Sequence, residues 1–331
     1  MARLSLLLIF GAVGMVACAG IVLGFLGPLK HDLDAFATLR LHFSLAAVLC
    51  ALFVLMVRAR RLAFFFLAIG GVGLLALGRS GWASVRPLPE SACDNAPLRV
   101  AVANIEGYTA IGADFAGSED ALTNAAADIL VTVEMRPEYF DKAAHLRMAY
   151  PYTATARFKA GTPSGVMIFS KFPLNPIGPQ VKPPNAPGYA IAQTVVSGTA
   201  VSVAGLHLSR PVIGNQKEQL SAAPSLLKGL AQPRIVLGDF NAAPWTYTVQ
   251  TIANAADVML IPGIRRTWRG TYPTPIKGFA LQSIFGAQID HILVSRDIGV
   301  RSIKTFELPG SVHWGVVAEL SVPLSQLCVR L

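Results

Sequence analysis

Three long apolar runs, separated by short polar connections, dominate the start of the chain. Residues 4–27 contain 24 positions without a charge, and residues 41–57 and 62–78 add two uncharged runs of 17 positions each. A helix needs about 20 apolar residues to cross the hydrocarbon core of a bilayer. The pattern therefore predicts a transmembrane region over residues 1–78, with three transmembrane helices at about 4–27, 41–57 and 62–78.

Two other interpretations of these runs stay open. Each run of 17 residues is also short enough to be a buried core helix. The first run could be a signal peptide, or a lipoprotein signal ending at Cys18, although it continues to Leu26, beyond the roughly 7–15 residues of a cleaved apolar region. The presence of three runs so close together favours spanning helices.

The loops between the runs predict an orientation. Arg58, Arg60 and Arg61 crowd the second connection, whereas two basic and two acidic residues balance each other in the first. Positively charged loops stay on the cytoplasmic side of a membrane. The N-terminus is then cytoplasmic and everything after residue 78 is extracytoplasmic, although Arg79 and Arg86 weakly favour the reverse.

Residues 79–97 separate the apolar region from the rest of the chain. They contain Pro87, Pro89 and Pro97 and show no sustained periodicity, which predicts a linker. A flexible linker of this length would span about 25 Å, so it would hold the following residues near the membrane. Residues 98–331 are long enough for one domain with its own core.

Short apolar strands alternate with helical segments in residues 98–331, which predicts a mixed α/β domain. The predicted strands are residues 98–104, 128–134, 165–170, 200–208, 234–239 and 288–295. Polar side chains stand at or just beyond the ends of these strands: Asn104, Glu134, His207, Asp239, Asn241 and Asp290. Each alone could be a cap or turn residue. Six together predict a shared cleft, because buried strand ends rarely tolerate unpaired acids and amides.

Composition narrows the class of protein. Only 14% of the residues are charged, against roughly 25% in an ordinary soluble protein, which excludes a disordered chain and disfavours a purely soluble one. The net charge of +9 is not one basic patch, since residues 91–331 hold 20 Lys and Arg against 16 Asp and Glu. Such a small excess supports strong nucleic-acid binding only weakly.

The motifs, in their order along residues 97–322, resemble the endonuclease/exonuclease/phosphatase superfamily typified by DNase I. The specific matches are Gly238-Asp239-Phe240-Asn241-Ala242 and Ile289-Asp290-His291-Ile292. Weaker matches surround Asn104, Glu134, Ser164–Lys171, His207 and Ser311-Val312-His313. Pro244-Trp245 is similar to the membrane-attached bacterial branch, which implies a multi-pass protein of the bacterial inner (plasma) membrane. The resemblance implies a four-layer α/β sandwich, two packed mixed β-sheets flanked by helices, with a phosphoesterase site at one edge.

The resemblance also implies a metal site. Glu134, with Asn104 nearby, would hold a divalent cation. The available ligands are carboxylates and amides, which suit Mg²⁺, Mn²⁺ or Ca²⁺ better than zinc. The family usually reads Ser-Asp-His where this chain has Ser311-Val312-His313. Either Glu106 or a water fills the place of the missing carboxylate, or metal binding is weaker, or activity is lost.

Catalytic roles follow from the same resemblance. Asp239 would orient and deprotonate the attacking water, and Asn241 would hold a phosphate oxygen or the water of the metal. Asp290 would keep His313 protonated against the phosphate. His207 would be a second imidazole at the scissile phosphate, as a general acid or a stabiliser.

A disulfide between Cys93 and Cys328 is a further expectation from the resemblance. The first and last strands of this fold end near one another, and an oxidising compartment would allow the bond to form. Cys18 and Cys50 lie in apolar runs, and two free thiols remain the alternative for Cys93 and Cys328.

The sequence thus predicts a membrane-tethered, extracytoplasmic, metal-dependent phosphoesterase. Its favoured substrate is a lipid-linked phosphate, such as an isoprenoid pyrophosphate or a phospholipid headgroup, because confinement near a bilayer raises the effective concentration of such a substrate. The alternatives are a membrane-anchored nuclease acting on DNA or RNA, and a catalytically impaired binding domain of the same fold. The sequence names no protein partner.

Overall fold

The computed structural model describes residues 2–78, 95–106, 115–157, 164–269 and 286–324. Its N-terminal part is a bundle of the apolar helices α1 (Ala2–Phe25), α3 (Arg40–Met56) and α4 (Arg60–Leu75). A 3-10 turn (His31–Leu33) and the short helix α2 (Asp34–Thr38) join α1 to α3. Residues 31–39 are named the connecting segment below.

The three long helices run up and down beside one another. The rings of Phe10 and Phe53 stack with centroids 4.0 Å apart, so the start of α1 lies beside the end of α3. Gly14 packs against Phe66, and Ile21 packs against Gly73, so α1 and α4 run parallel. The start of α1 and the turn before α4 therefore share one end of the bundle, and the connecting segment lies at the other end.

In the described part of the chain, only α1 is long and apolar enough to span a membrane, over Arg3–Phe25. A second span would require His31–Thr38 and Arg40–Met56 to act as one broken helix, bent by 59°. Helix α4 has 16 residues, about 24 Å at 1.5 Å per residue, because the chain leaves the helical conformation after Leu75. The structure thus has one such helix, or two with the bent pair, instead of the three that the sequence predicts.

The remaining described residues form two six-stranded sheets. The first sheet has the order β11 (Gly299–Glu307), β12 (Trp314–Pro323), β1 (Asn95–Asn104), β2 (Ile129–Val133), β4 (Val166–Ser170) and β3 (Tyr152–Ala154). The second has the order β5 (Asn175–Pro176), β6 (Gly188–Val196), β7 (Thr199–His207), β8 (Arg234–Asp239), β10 (Asp290–Val294) and β9 (Met259–Leu260). Both sheets are mixed, since β1–β2 and β7–β8 are parallel and the other pairs are antiparallel.

Helices cover the outer face of each sheet. Helices α5 (Phe115–Asn124), α6 (Pro137–Lys142) and α7 (Ala144–Ala149) pack on the first sheet, and α8 (Gln216–Leu227) and α9 (Tyr247–Ala256) pack on the second. The inner faces meet in a core rich in valine and isoleucine, including Val131 and Val203. This arrangement confirms the predicted α/β sandwich.

The strand directions bring several strand ends to one edge of the sandwich. Parallel β1 and β2 end at Asn104 and Val133, which are paired in register. Parallel β7 and β8 end at His207 and Asp239, which are also paired. Strand β10 runs antiparallel to β8, so its first residue, Asp290, pairs with Asp239. Polar residues that are far apart in sequence are thereby placed side by side.

The first strand starts earlier than the sequence predicts. It begins at Asn95, inside the predicted linker of residues 79–97. Cys93 and Cys328 lie outside the described residues, so their disulfide stays a prediction. Cys18 and Cys50 are buried free thiols in the helix bundle.

Candidate active site

Asn104 links the two sheets at this edge. Its side-chain Nδ2 donates to Oδ2 of Asp239 at 2.9 Å and to Oε1 of Glu134 at 3.2 Å. Its Oδ1 accepts from the backbone N–H of Glu106 at 2.9 Å. The amide is 1% exposed, so it holds two carboxylates from different sheets in fixed positions.

Asp239, Asp290 and His313 form a buried cluster beside Asn104. Nδ1 of His313 donates to Oδ2 of Asp290 at 3.0 Å, and Nε2 of the same ring lies 4.0 Å from Oδ2 of Asp239. Oδ1 of Asp239 accepts from the backbone N–H of Asn241 at 2.8 Å. A positive imidazolium between the two carboxylates offsets the cost of burying them.

Burial and neighbouring charges set the protonation of this cluster. Burial and the carboxylate of Asp290 raise the pKa of Asp239 to about 6, against smaller lowering effects from the nearby imidazoles and amide. Burial lowers the pKa of His313, but the carboxylates of Asp290, Asp239 and Glu106 outweigh burial and raise it to about 9. At neutral pH His313 is therefore protonated and Asp239 is mostly ionised.

Glu134 and His207 lie on the more open side of the cluster. Oε1 of Glu134 is 3.8 Å from Nε2 of His207, and the two side chains are 16% and 20% exposed. Both residues stand at strand ends, Glu134 just after β2 and His207 at the end of β7. The carboxylate can reach a cation and the imidazole can reach a substrate without rearrangement of the sheets.

Three residues at this edge have a left-handed backbone conformation. The angle φ is 49° at Glu106, 60° at Glu134 and 49° at Asn241. Such a conformation costs a non-glycine residue on the order of 1–3 kcal/mol, and the surrounding packing and hydrogen bonds must compensate for it. Sequence reasoning missed this feature, because a glutamate carries no signal for it.

Asn241 and His291, which belong to the two specific motifs, both make hydrogen bonds to the nearby backbone. Nδ2 of Asn241 donates to the carbonyl oxygen of Leu208 at 2.8 Å, which fixes the turn after β8. His291 is 2% exposed, and its Nε2 donates to the carbonyl oxygen of Ala242 at 2.8 Å. Burial lowers the pKa of His291 to about 4, so the ring is neutral and does not take part in the cluster.

Glu106 holds the segment that contains Val312. Its Oε2 accepts from the backbone N–H of Val312 at 2.6 Å. Oγ of Ser311 donates to the carbonyl oxygen of Asn104 at 2.8 Å and accepts from the backbone N–H of His313 at 3.0 Å. A buried carboxylate thus lies beside the position where the family usually has an aspartate. The role of Glu106 as a metal ligand stays a prediction.

Sequence reasoning missed two contributors and left a third open. Oγ1 of Thr267 accepts from the backbone N–H groups of Ile289 and Asp290, each at 3.0 Å, and so fixes the start of β10. Arg210 lines the cavity above the cluster, and its only signal is its place three residues after His207. The sequence gives Trp245 a place in a motif but no role, and in the structure its Nε1 donates to the carbonyl oxygen of Ala37 in the connecting segment.

A cavity of about 680 Å³ opens over the cluster. Small-molecule sites typically measure about 300–1,000 Å³. The predicted site residues that line it are Asn104, Glu106, Glu134, His207, Asp239, Asn241 and His313. Asp290 supports His313 from behind and does not line it. Further walls come from residues 209–214, from Trp268, Ala287 and Ile289, and from Ala35, Thr38 and Leu39 of the connecting segment.

Two sets of side chains could hold a metal ion. Ligand atoms of Asp239, Asp290 and His313 all lie within 4.8 Å of one another. Without a metal His313 is an imidazolium at neutral pH, so its Nε2 would have to release a proton before it could bind the ion. Glu134 instead offers a carboxylate on the cavity side, next to the amide of Asn104. Carboxylate oxygen fits Mg²⁺, Mn²⁺ or Ca²⁺, and Asn104 fixes this carboxylate by donating from its Nδ2.

Comparison with known proteins shows which solved structures have a similar fold. No curated protein matches the chain. Among solved structures, an endonuclease/exonuclease/phosphatase from Beutenbergia cavernae DSM 12333 has a TM-score of 0.51 at 19% identity, covering 69% of this chain and 72% of that one. One from Bacteroides vulgatus has a TM-score of 0.50 at 16% identity, covering 69% and 99%. D. rerio TDP2, complexed with a single-strand DNA product, has a TM-score of 0.50 at 15% identity, covering 68% and 99%.

These structures share the fold of the chain, and the sequence itself supplies the family. A profile described as the Endonuclease/Exonuclease/phosphatase family matches residues 101–315. That range contains every strand end and side chain of the cluster, from Asn104 to His313. Because the match covers most of the chain, the chain belongs to the endonuclease/exonuclease/phosphatase family.

Proposed function

We propose that this protein is a membrane-attached, divalent-metal-dependent phosphoesterase that acts on a lipid-linked phosphate. The observation that carries the proposal is the position of the Asp239–Asp290–His313 cluster, at a cavity whose wall includes the segment between two apolar helices. Phosphate ester hydrolysis needs an oriented water, positive charge near the phosphate oxygens and a proton donor for the leaving oxygen. The site contains a group for each task.

The chain's own residues would carry the proton transfers. Asp239, with a pKa near neutrality, accepts a proton from water as the water oxygen bonds to phosphorus. The bond from phosphorus to the leaving oxygen breaks, and His207 donates a proton to that oxygen. His313, held protonated by Asp290, stabilises the negative charge of the phosphate. After the products leave, Asp239 releases its proton to solvent and His207 takes one up, so both groups return to their starting protonation.

Glu134, with Asn104 beside it, would hold the metal ion. When bound, a divalent cation neutralises charge on the phosphate oxygens. Asn241 lines the cavity next to Asp239 and would bind a phosphate oxygen or a water of the metal. Mg²⁺ is the expected ion, with Mn²⁺ or Ca²⁺ as alternatives.

The outer surface of the helix bundle supports membrane attachment. Large apolar side chains on all three long helices point outwards, among them Leu8 (63% exposed), Val16 (67%), Leu49 (56%), Phe64 (75%) and Leu75 (80%). An apolar surface of this extent is typical of a membrane or protein interface. In a bilayer α1 would span the hydrocarbon core, and the exposed apolar side chains of α3 and α4 would face lipid beside it.

The direction of the bundle supports an extracytoplasmic catalytic domain. Arg3, Arg58, Arg60 and Arg61 lie at the end that carries the start of α1 and the turn before α4. Positive charge favours the cytoplasmic side for that end. The connecting segment and the catalytic domain lie at the opposite end. The proposed location is therefore the bacterial inner membrane, with the active site outside the cytoplasm.

The test uses the full-length protein in detergent with Mg²⁺. Candidate substrates are phosphatidate, an isoprenoid pyrophosphate, plasmid DNA and RNA. We expect hydrolysis of a lipid phosphate that EDTA abolishes and Mg²⁺ restores. Brisk cleavage of plasmid DNA with both lipids untouched would favour a membrane-anchored nuclease. Binding of a substrate without any hydrolysis would instead indicate a catalytically impaired domain.

A further inference from the structure

The connecting segment forms part of the active-site wall. Ala35, Thr38 and Leu39 line the same cavity as Asp239 and His313. In sequence this segment belongs to the helix bundle, because it joins α1 to α3. The cavity therefore has its full wall only when the bundle is docked on the catalytic domain.

A buried carboxylate fixes the segment in this place. Asp34 is 3% exposed, and its Oδ1 accepts from the backbone N–H of Tyr247 at 2.9 Å. Its Oδ2 accepts from the backbone N–H of Thr248 at 2.9 Å and from the hydroxyl of the same residue at 2.7 Å. Tyr247 and Thr248 begin α9, where unpaired N–H groups and the helix dipole favour an anion. None of these groups has a part in the chemistry proposed above.

Two further hydrogen bonds flank Asp34. Nε1 of Trp245 donates to the carbonyl oxygen of Ala37 at 2.7 Å. Nε2 of His31 donates to Oε1 of Gln216 at 3.0 Å, and Nε2 of Gln216 donates to the carbonyl oxygen of Ser209 at 2.8 Å. The buried Gln216 thus bonds both to the connecting segment and to a second part of the cavity wall.

The end of α1 packs directly on the segment. A Cβ atom on Gly24 would lie 2.8 Å from the backbone nitrogen of Ala37, and one on Gly27 would lie 2.7 Å from Oδ1 of Asp34. No larger side chain fits at these two positions without movement of the segment. The candidate membrane-spanning helix therefore contacts the element that walls the cavity.

A second part of the cavity wall also carries exposed apolar side chains. Residues 209–214, named the mouth loop, line the cavity, and within them Val212 is 65% exposed and Ile213 is 78% exposed. Leu39 faces the cavity from the connecting segment. Exposed apolar side chains that adjoin an apolar helix bundle suit the hydrocarbon chain of an amphiphile better than a water-soluble ligand.

We propose that the connecting segment and the mouth loop form a binding wall for the hydrocarbon part of the substrate, and that Asp34 is the positioning residue that holds this wall. This inference rests on the proposed function and adds the residues that select the substrate. The hydrocarbon chain lies between Leu39 and Ile213 while the phosphate reaches Asp239. A water-soluble ester uses the floor of the cavity alone.

Two chromogenic diesters test the inference. 4-Nitrophenyl hexadecyl phosphate and 4-nitrophenyl methyl phosphate share the reacting group and differ only in the second alcohol. For the full-length protein in one detergent with Mg²⁺, we expect a higher kcat/KM for the hexadecyl ester. In Asp34→Ala this preference falls at least about tenfold, chiefly through a higher KM, because the variant loses binding and keeps the reacting groups.

Two further variants make the test specific. Asp32→Ala removes an exposed carboxylate that is not among the residues lining the cavity, and it keeps the preference of the parent protein. Leu39→Ser removes the apolar contact without changing a hydrogen bond of Asp34, and it also lowers the preference through KM. The Leu39 variant keeps the inference testable if Asp34→Ala does not fold.

The outcomes separate this inference from the proposed function. If the parent hydrolyses both esters without preference, or if Asp34→Ala and Leu39→Ser both retain its preference, the wall does not select the substrate and the proposed function still stands. If the parent hydrolyses neither ester in Mg²⁺ and also leaves phosphatidate and the isoprenoid pyrophosphate intact, the proposed function itself is overturned.

Discussion

Nδ1 of His313 donates to Oδ2 of Asp290 at 3.0 Å, and both side chains are almost completely buried. Asp290 begins β10 in one sheet, and His313 directly precedes β12 in the other. Each buried charge is tolerated because the other neutralises it. The packing of the two sheets therefore places a permanent positive charge next to Asp239.

The pH profile should show the effect of this pair. Asp239 acts as a base only when ionised, so kcat/KM should rise with pH through about 6. His313 acts only when protonated, so kcat/KM should fall as pH increases through about 9. Asp290→Asn removes a carboxylate that raises the pKa of His313, and the alkaline limb should move down by roughly 1–3 pH units. If the alkaline limb stays at the same pH in Asp290→Asn, a group other than His313 causes it.

Loss of either group at the phosphate should abolish most hydrolysis. Asp239→Asn removes the base and His313→Ala removes the positive charge, and each should lower kcat by roughly 10²–10⁴. The matched control is His145→Ala in α7, whose side chain is 67% exposed, and it should retain the parent rate. Parent rates in both site variants, with hydrolysis measured on the full-length protein, would show that the site is assigned wrongly.

The metal requirement should depend on Glu134. Glu134→Gln should raise the Mg²⁺ concentration for half-maximal rate by at least about 10-fold, because one anionic ligand is lost. Glu138→Gln, a change at a side chain that is 64% exposed, should leave the Mg²⁺ requirement as it is. A Mg²⁺ titration of both variants and of Asp290→Asn distinguishes the two candidate metal positions. If this Mg²⁺ concentration rises in Asp290→Asn and not in Glu134→Gln, the ion is held by the Asp239–Asp290–His313 cluster.

Restoring the usual acid at position 312 should not impair the enzyme. Val312→Asp places a carboxylate beside that of Glu106, which bonds to the backbone of residue 312. Two neighbouring carboxylates favour a divalent cation, so activity should persist or rise. The activity should also depend more strictly on Mg²⁺ than in the parent protein. Val312→Asn is the uncharged control of similar size. Weaker Mg²⁺ dependence in Val312→Asp than in Val312→Asn would contradict this expectation.

Gly238 should be essential for stability of the second sheet. A Cβ atom there would lie 1.8 Å from the carbonyl oxygen of Leu206 on the neighbouring strand, so Gly238→Ala must push β7 and β8 apart. We expect a loss of roughly 3 kcal/mol or more, measured as a lower unfolding temperature of the full-length protein in detergent. Gly71→Ala, where a Cβ would have no heavy atom within 4 Å, is the control and should not be destabilised. If Gly238→Ala unfolds at the same temperature as the parent protein, β7 and β8 can move apart without loss of stability.

The sequence by itself determined the sandwich, the family and most of the strand ends that carry polar groups. Alternation of apolar and polar residues is a local property, so the strands ending at Asn104, His207 and Asp239 could be located from neighbouring residues alone. The order of the motifs then identified the family. The apolar runs also showed where the three long helices lie. They did not show that α4 ends at Leu75, before the end of the third run.

Only the tertiary structure decided which of these groups meet. Glu106 bonds to Val312 across 206 residues of chain, and Asp34 bonds to Thr248 across 214. The sequence pattern also did not predict the left-handed backbone at Glu134 or the place of the connecting segment in the cavity wall. Hydrophobic periodicity records whether a residue is buried and says nothing of its partner, because burial is non-directional. A hydrogen bond needs two atoms about 3 Å apart, and only the packing of sheets and helices brings them to that distance.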